Sequence, residues 1–252
     1  MSELKIRDFQ AVAWDFDGVL ADTLAAHTAA RLQAYEVLAE ERDDPRFVQI
    51  DPAIHAEGHN HGSHPEEINA WVLAAAGLIP TADISHPMVK EIVATKKDLY
   101  HLTAQRGLTP IPGALQLFRR FAVDRPAKQA IVTTAGPREV DPFVTHNGLN
   151  TYLTPKLIIT GEHPDVFRKK PARDAYMVGG RVLGLKRAEN MLVFEDSEQG
   201  IVAAKSYGAF VVAVATTRSY DKLSSLEGLQ KPDLVVEDFA EAHSLFGFRA
   251  AA

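Results

Sequence analysis

Short apolar runs recur along the chain, and most are continuous rather than alternating between apolar and polar residues. Continuous runs are typical of strands that are covered on both faces, as in a parallel sheet. Helical patterns separate most of the runs, for example GALQLFRRFA before the second and GIVAAKSYG before the fifth. This order predicts an α/β fold with a doubly wound parallel sheet, whose strands lie at residues 11–14, 129–132, 157–159, 191–194, 210–214 and 234–236.

Over a hundred residues separate the first predicted strand from the second, far more than a crossover helix requires. The pattern there is helical: Leu32, Tyr35 and Leu38 are spaced for one buried face, and two further helical stretches follow. The segment LTPIPG, residues 108–113, marks the return to the sheet. We therefore predict a Rossmann-like core from residues 1–21 and 108–252, with a helical cap at residues 22–107 inserted after the first strand.

Composition and charge narrow the class of partner. The 27 basic and 33 acidic residues give a net charge of -6, which argues against binding to nucleic acid or to an anionic membrane. The chain has no cysteine, which excludes disulfides, thiolate metal sites and cysteine nucleophiles. The N-terminus is polar, and no apolar run approaches the roughly 20 residues of a membrane helix. We expect a cytoplasmic monomer or homodimer with a small partner.

Candidate chemistry lies at the ends of the predicted strands, where open α/β sheets bind their ligands. Side chains two residues apart in an extended chain share a face, so Asp15 and Asp17 should lie side by side after the first strand. Their mutual repulsion favours a bound cation or one retained proton. Other polar residues at strand or helix ends are Thr133 and Thr134 after the second strand, Lys170 in a basic segment, and Glu195 and Asp196 after the fourth strand.

These four stretches, in this order, resemble the four motifs of the haloacid dehalogenase superfamily, in its phosphatase and phosphomutase branch with an inserted cap. The resemblance implies a phosphatase that uses Mg²⁺ and an aspartyl-phosphate intermediate. Its substrate would be a small phosphorylated metabolite, either a sugar phosphate or an organic acid phosphate. Asp17 disfavours the dehalogenating and phosphonate-cleaving members, because they lack the second aspartate.

The resemblance also implies a role for each site residue. Asp15 is the nucleophile, and Asp17 protonates the leaving group and later deprotonates water. Thr133 and Lys170 stabilise the phosphoryl group. The neighbouring Lys169 makes the register of that lysine ambiguous, and the following Pro171 favours Lys170. The phosphate and metal contacts complete the set: Gly18 and the Thr134 backbone at the phosphate, and Asp15, the Asp17 carbonyl and Asp196 at the metal, with Glu195 as a further ligand or close beside them.

Two other functions stay open. Thr23 and His27 stand where a phosphomutase of the β-phosphoglucomutase type has residues near its cap hinge, although sugar-phosphate phosphatases often share them and His27 can equally be an ordinary polar residue of the first cap helix. The chain would then be a mutase, with His27 near the substrate. A binding protein that holds a phosphorylated metabolite without turnover is disfavoured, because Asp15, Asp17 and Lys170 are all present.

A histidine-rich stretch, IHAEGHNHGSHPEE, is the most unusual part of the predicted cap. It is interpreted first as a polar loop in which Ser63 or His64 caps a helix that starts near Pro65. A second hypothesis is a substrate-recognition loop, since imidazoles can hydrogen-bond a polar metabolite. A third is a transition-metal site, although the spacing of His59, His61 and His64 is not a recognised zinc pattern.

Overall fold

The structure of the chain, a computed structural model, describes residues 9–58, 61, 64–124 and 127–247. The chain divides into two compact units. The first combines the described residues up to Leu24 with those from Gly107 onward, and the second is Ala25–Arg106. We call the first the core unit and the second, after the cap predicted from the sequence, the cap unit.

The core unit contains a parallel sheet, and its strands are β1 (Ala11–Trp14), β2 (Lys128–Val132), β3 (Ile158–Ile159), β4 (Met191–Glu195), β5 (Phe210–Val214) and β6 (Leu234–Val236). Their order is β3-β2-β1-β4-β5-β6, so β1 is central, with Ala13 opposite Ala130 and Val193. The predicted parallel α/β sheet is confirmed. The predicted strand ends are wrong by one residue in places: Leu157 lies in a 3-10 turn, and β4 continues to Glu195.

Helices connect the strands and build the cap unit. In chain order they are α1 (Thr23–Arg42), α2 (Pro52–Glu57), α3 (Pro65–Ala75), α4 (Pro87–Arg106), α5 (Ala114–Val123), α6 (Pro137–His146), α7 (Asp174–Val182), α8 (Glu198–Tyr207), α9 (Tyr220–Ser224) and α10 (Phe239–Leu245). None of these described helices combines the length and apolarity needed to cross a bilayer.

Alternate residues of β1 enter different parts of the core, because successive side chains of a strand point to opposite faces. Ala11 and Ala13 belong to a buried cluster with residues of α7 and α8. Trp14 lies on the other face, where its ring stacks on Phe194 at 4.5 Å and contacts Phe118 of α5. Helices thus cover both faces, which explains why the strands are uninterrupted apolar runs.

The cap unit has its own apolar core, formed between α1, α3 and α4, in which Tyr35 and Leu38 are buried. The prediction that Leu32 shares this face is wrong, since its side chain is 41% exposed. The buried stripe runs through positions 31, 34, 35 and 38, the spacing of one helical face. Arg31, which is 5% exposed, therefore lies on the buried face in place of the predicted Leu32.

Candidate active site

Asp15 and Asp17 lie at the carboxyl end of β1. The backbone N–H of Asp15 donates to the carbonyl of Phe194, 3.0 Å away, so the residue is still held by the neighbouring strand. The chain then turns at Gly18, where φ is 71°, a left-handed conformation that favours glycine. The side chain of Asp15 is buried, and that of Asp17 is half-buried.

Glu195 and Asp196 lie at the carboxyl end of β4, beside β1. Glu195 is fully buried, and its Oε2 accepts a hydrogen bond from the Ser197 hydroxyl at 3.1 Å. Ser197 is also the N-cap of α8, because its Oγ accepts from the Gly200 N–H at 3.1 Å. A Cβ on Gly200 would lie 1.9 Å from Glu195 Oε1, so the helix can begin against this carboxylate only with glycine there.

Lys170 joins the two strand ends. Its Nζ donates to Asp15 Oδ1 at 2.5 Å, to Glu195 Oε1 at 2.6 Å and to the Val132 carbonyl at 2.9 Å. Its side chain is buried, whereas that of Lys169 is exposed. The structure therefore brings Lys170, and not its neighbour, to the predicted site.

Burial and charge shift the ionisation of these groups. Burial and the charge of Glu195 raise the pKa of Asp15, although Lys170 opposes the shift. Burial raises the pKa of Asp17, and burial together with Glu195 raises that of Asp196 to about 7. Burial lowers the pKa of Lys170, but Asp15 and Glu195 outweigh it and raise the value above its usual range. Negative charge thus exceeds positive charge at this end of the sheet.

Thr133 and Thr134 follow β2, next to β1. The backbone N–H of Thr133 donates to the Ile159 carbonyl at 2.9 Å, and its hydroxyl oxygen accepts from the Ala135 N–H at 3.0 Å. The proton of that hydroxyl can still be donated, since one hydroxyl both donates and accepts. The Thr134 side chain is exposed, and Gly161 approaches its backbone so closely that a Cβ would lie 2.3 Å from the Thr134 carbonyl oxygen.

Two threonines that the sequence analysis missed fix the opposite side of the site. The Thr217 hydroxyl donates to Asp196 Oδ2, and the Thr216 hydroxyl donates to the Gly18 carbonyl at 2.5 Å. A Cβ on Gly18 would lie 2.1 Å from Asp196 Oδ2, so this loop packs directly against that carboxylate. Both threonines follow the end of β5, and the rule that located the other site residues at strand ends would have found them.

Tyr176 of α7 is a second omission. Its hydroxyl donates to Glu195 Oε1 at 2.7 Å, and Lys170 Nζ lies 4.9 Å from the centre of its ring. Glu195 Oε1 therefore accepts from both Tyr176 and Lys170. No local signal marks this tyrosine, since it lies in an ordinary amphipathic helix far from Glu195 in the sequence.

Asp15, Glu195 and Asp196 form a group that could hold a metal ion. One carboxylate oxygen from each lies within 4.8 Å of the others, and all three residues are buried. Among the described residues this is the one such group of acidic or histidine side chains. An all-oxygen donor set suits a hard cation such as Mg²⁺.

Thr23 and His27 have different surroundings. Thr23 lies near the Asp17 side chain and lowers the pKa of that carboxyl group, against the larger effect of burial. His27 belongs to the cap unit, where its Nδ1 lies 3.0 Å from Lys96 Nζ and its ring stacks on Tyr100 at 3.8 Å. Burial, followed by the charge of Lys96, lowers the pKa of His27 to about 3, so its imidazole is neutral near pH 7.

The histidine-rich stretch is in part structural. The backbone N–H of His64 donates to Glu67 Oε2 at 3.1 Å, at the start of α3, and the His61 ring stacks on Trp71 at 4.1 Å. The described histidines of the stretch join no metal-binding group, and His59 lies outside the described residues. These contacts favour the interpretation as a polar segment that begins a helix.

Comparison with known proteins gives a consistent pattern. Residues 12–214 match the family model described as haloacid dehalogenase-like hydrolase. The chain is 26% identical over 243 residues to the β-phosphoglucomutase of Mycobacterium tuberculosis, covering 92% of this chain and 90% of that protein. It is 26% identical over 194 residues to hexitol phosphatase A of Escherichia coli, covering 73% and 85% of the two chains.

The fold is also similar to that of solved structures. The crystal structure of a haloacid dehalogenase family IA, variant 3 hydrolase from Entamoeba histolytica matches with a TM-score of 0.70 and 21% identity. The match covers 95% of this chain and 98% of the other. The inserted helices are therefore included in the similarity, as well as the sheet.

Proposed function

The chain belongs to the haloacid dehalogenase-like hydrolase family, whose model matches most of its length, and we propose that it is a Mg²⁺-dependent phosphatase. The substrate in this proposal is a small phosphorylated metabolite, a sugar phosphate or an organic acid phosphate, and the intermediate is an aspartyl-phosphate on Asp15. The observation that carries the proposal is the 2.5 Å contact of Lys170 Nζ with Asp15 Oδ1 at the end of β1, beside Asp196.

Asp15 is suited to attack phosphorus because a cation faces it. A phosphate monoester dianion repels an incoming carboxylate, so positive charge has to offset that repulsion. Lys170, held by two carboxylates and a carbonyl, supplies one positive charge in a fixed position. In the first step an Asp15 oxygen bonds to phosphorus while the bond from phosphorus to the ester oxygen breaks.

Asp17 would carry the protons of both steps. It protonates the departing ester oxygen, and it then takes a proton from the water that attacks phosphorus and breaks the bond to Asp15, which releases phosphate. Burial raises the pKa of Asp17, which favours the protonated form that the first step needs. The neighbouring Thr23 lowers that pKa, although burial outweighs it.

A magnesium ion fits the donor set and the charge balance. When all three are ionised, Asp15, Glu195 and Asp196 carry three negative charges against the one positive charge of Lys170, which leaves two for a divalent cation. Both oxygens of Glu195 already accept hydrogen bonds. We therefore assign Asp15, Asp196 and the Asp17 carbonyl as ligands, and Glu195 as the group that holds Lys170. The ion would supply Lewis-acid stabilisation of the phosphoryl oxygens.

The remaining site residues would bind the phosphoryl group. In this proposal the Thr133 hydroxyl and the Thr134 backbone N–H, at the end of β2, donate to its oxygens. Gly18 would allow the first loop to pass close to it, as its left-handed φ and its contact with Asp196 support. We retain residues 22–107 as the cap, and we propose that this insertion selects the substrate.

A phosphomutase is the second candidate function. It is favoured by the similarity to the mycobacterial β-phosphoglucomutase over 92% of this chain, and by Thr23 and His27 at the start of α1. Hydrolysis ranks first because other proteins similar to this chain, hexitol phosphatase A among them, are named as phosphatases.

The test is phosphate release from a panel of phosphorylated sugars and organic acids, with Mg²⁺ and with a chelator. We expect Mg²⁺-dependent release from at least one compound. The variant Asp15→Asn should lose this activity, because the amide cannot form the intermediate. The matched control is Asp141→Asn, which changes an exposed aspartate on α6 and should keep the phosphate-releasing activity.

Each alternative gives a different result. Transfer of phosphate between positions of one sugar, without net release, would replace the phosphatase by the mutase. Binding of a phosphorylated compound that is neither hydrolysed nor isomerised would indicate the binding protein. Equal release by the wild type and Asp15→Asn would refute Asp15 as the nucleophile.

A further inference from the structure

A buried arginine lies in the cap unit. Arg31 of α1 is 5% exposed, and its Nη2 donates to the His55 carbonyl at 3.0 Å. Its Nε and Nη1 are buried and meet no hydrogen-bond acceptor among the described residues. Since Nε carries one N–H and Nη1 carries two, three of its five donors lack a described acceptor.

In the part of the chain that the structure describes, no carboxylate balances this charge. Among the described residues Arg31 forms no ion pair, whereas the other buried cation, Lys170, forms two. The segment that follows α2, residues 59–63, has the sequence HNHGS and contains no acidic residue. Burial lowers the pKa of Arg31, yet a guanidinium stays charged at neutral pH. The arrangement is costly, because a buried charge requires a partner.

His55 of α2 lies beside Arg31, and it too has a buried nitrogen without a described hydrogen-bond partner. It is 8% exposed, and its Nδ1 is buried without a hydrogen-bond partner among the described residues. The neighbouring polar pair is complete by contrast: the Tyr35 hydroxyl donates to Asn69 Oδ1 at 3.1 Å, and Asn69 donates to the Pro65 carbonyl at 2.7 Å. Around this pair, the buried polar atoms that lack a described hydrogen-bond partner therefore belong to Arg31 and His55.

We propose that Arg31 and His55 form an anion-binding site in the cap unit, which takes a phosphate or carboxylate group. An anion would accept hydrogen bonds from the guanidinium and from the imidazole N–H, and it would supply the missing negative charge. Two sources share this chemistry. One is a second anionic group on the substrate, in which case the inference also rests on the proposed function, and the other is a free anion such as inorganic phosphate.

The first experiment measures thermal unfolding of the wild type and Arg31→Met in inorganic phosphate at constant ionic strength. Methionine has a similar length without charge, so the variant should unfold at the same or a higher temperature when no phosphate is present. Phosphate should raise the unfolding temperature of the wild type more than that of the variant, so that the order reverses. Arg42→Met, which removes an exposed arginine of the same helix, should respond like the wild type.

The opposite result would overturn the site. If Arg31→Met is less stable at every phosphate concentration and gains as much from phosphate as the wild type, Arg31 serves the fold alone. Phosphate bound in the core unit affects both proteins equally and cancels in the comparison. This experiment needs no catalytic activity, so it decides the inference even if phosphatase activity is absent.

A second experiment separates the two sources. It compares fructose 1,6-bisphosphate with fructose 6-phosphate as substrates of the wild type and Arg31→Met. If the anion belongs to the substrate, kcat/KM for the bisphosphate should fall by about 30-fold in the variant, the worth of a charge-assisted hydrogen bond, with little change for the monophosphate. If Arg31→Met leaves kcat/KM unchanged for both substrates but still shows the stability reversal, the site binds a free anion.

Discussion

Each of the two units buries a cation, but the hydrogen-bond acceptors around the two cations differ. In the core unit Lys170 Nζ meets two carboxylates and a carbonyl within 2.9 Å. In the cap unit Arg31 meets one carbonyl, and no carboxylate among the described residues. The core cation is compensated by described residues of the protein itself. In our proposal a bound anion compensates the cap cation. Burial alone therefore does not distinguish the two cations, whereas the acceptors around them do.

The strongest test of the comparison removes the compensated cation. Lys170→Met leaves Asp15 and Glu195 buried without their partner, and breaking such a pair typically costs about 3–5 kcal/mol of unfolding free energy. Phosphatase activity should fall by about a thousandfold or more, because the charge that faces Asp15, the proposed nucleophile, is lost. Denaturant unfolding and phosphate release measure the two effects.

The neighbouring lysine provides the control for that variant. Lys169→Met removes the same charge from an exposed side chain, and should leave both stability and activity close to the wild type. A loss of activity in Lys169→Met with retention in Lys170→Met would show that the register of the motif is wrong.

A smaller effect is expected at Gly200, where α8 begins against Glu195. Alanine usually stabilises a helix interior relative to glycine by up to about 1 kcal/mol. Here its Cβ would lie 1.9 Å from Glu195 Oε1, so the carboxylate that holds Lys170 must move. We expect Gly200→Ala to destabilise the protein and to reduce activity by about tenfold to a hundredfold. Gln199→Ala, exposed in the same helical turn, should do neither, and stabilisation by Gly200→Ala would contradict the packing.

The effect should be smaller again at Tyr176. Tyr176→Phe removes the 2.7 Å hydrogen bond to Glu195 Oε1, which still accepts from Lys170. The cost should be about 1.5–3 kcal/mol of unfolding free energy, as for other hydrogen bonds to a charged group. Activity should fall by about tenfold, because Glu195 would then hold Lys170 less firmly. Tyr220→Phe, on a partly exposed ring, is the matched control, and equal effects of the two variants would remove Tyr176 from the network.

The sequence predicts the core unit better than the cap unit, for physical reasons. Buried parallel strands are continuous apolar runs, and polar residues at their ends stand out against them, which is how Asp15 and Asp196 are found. The sequence pattern does not reveal Tyr176, because it lies on α7 whereas its partner, Glu195, lies at the end of β4. Arg31 is missed because periodicity places apolar residues on a buried face, and a functional charge there breaks the rule.

Local spacing was also misleading in the first cap helix. Leu32, Tyr35 and Leu38 fit one face, but the face that is buried includes Arg31 and leaves Leu32 exposed. Three apolar positions at intervals of three define a stripe only to within about one residue, or roughly 100° of rotation. What packs against the helix settles the choice, and that information is not local.

The smallest effect concerns the neutral histidine of the cap unit. Burial, then Lys96 and His101, lower the pKa of His27 to about 3, so the folded chain binds fewer protons there than the unfolded chain. The stabilisation is therefore present above about pH 6.5 and is lost as the pH falls, by at most about 1.4 kcal/mol per pH unit. His27→Gln, which keeps an acceptor for Lys96, should reduce this slope by one proton between about pH 6 and pH 5. Denaturant unfolding across that range measures the slope, and His64→Gln, on an exposed ring, is the control. Identical slopes for the wild type and His27→Gln would mean that His27 is protonated in the folded cap, next to Lys96, and that the cap unit tolerates two adjacent cations instead of one.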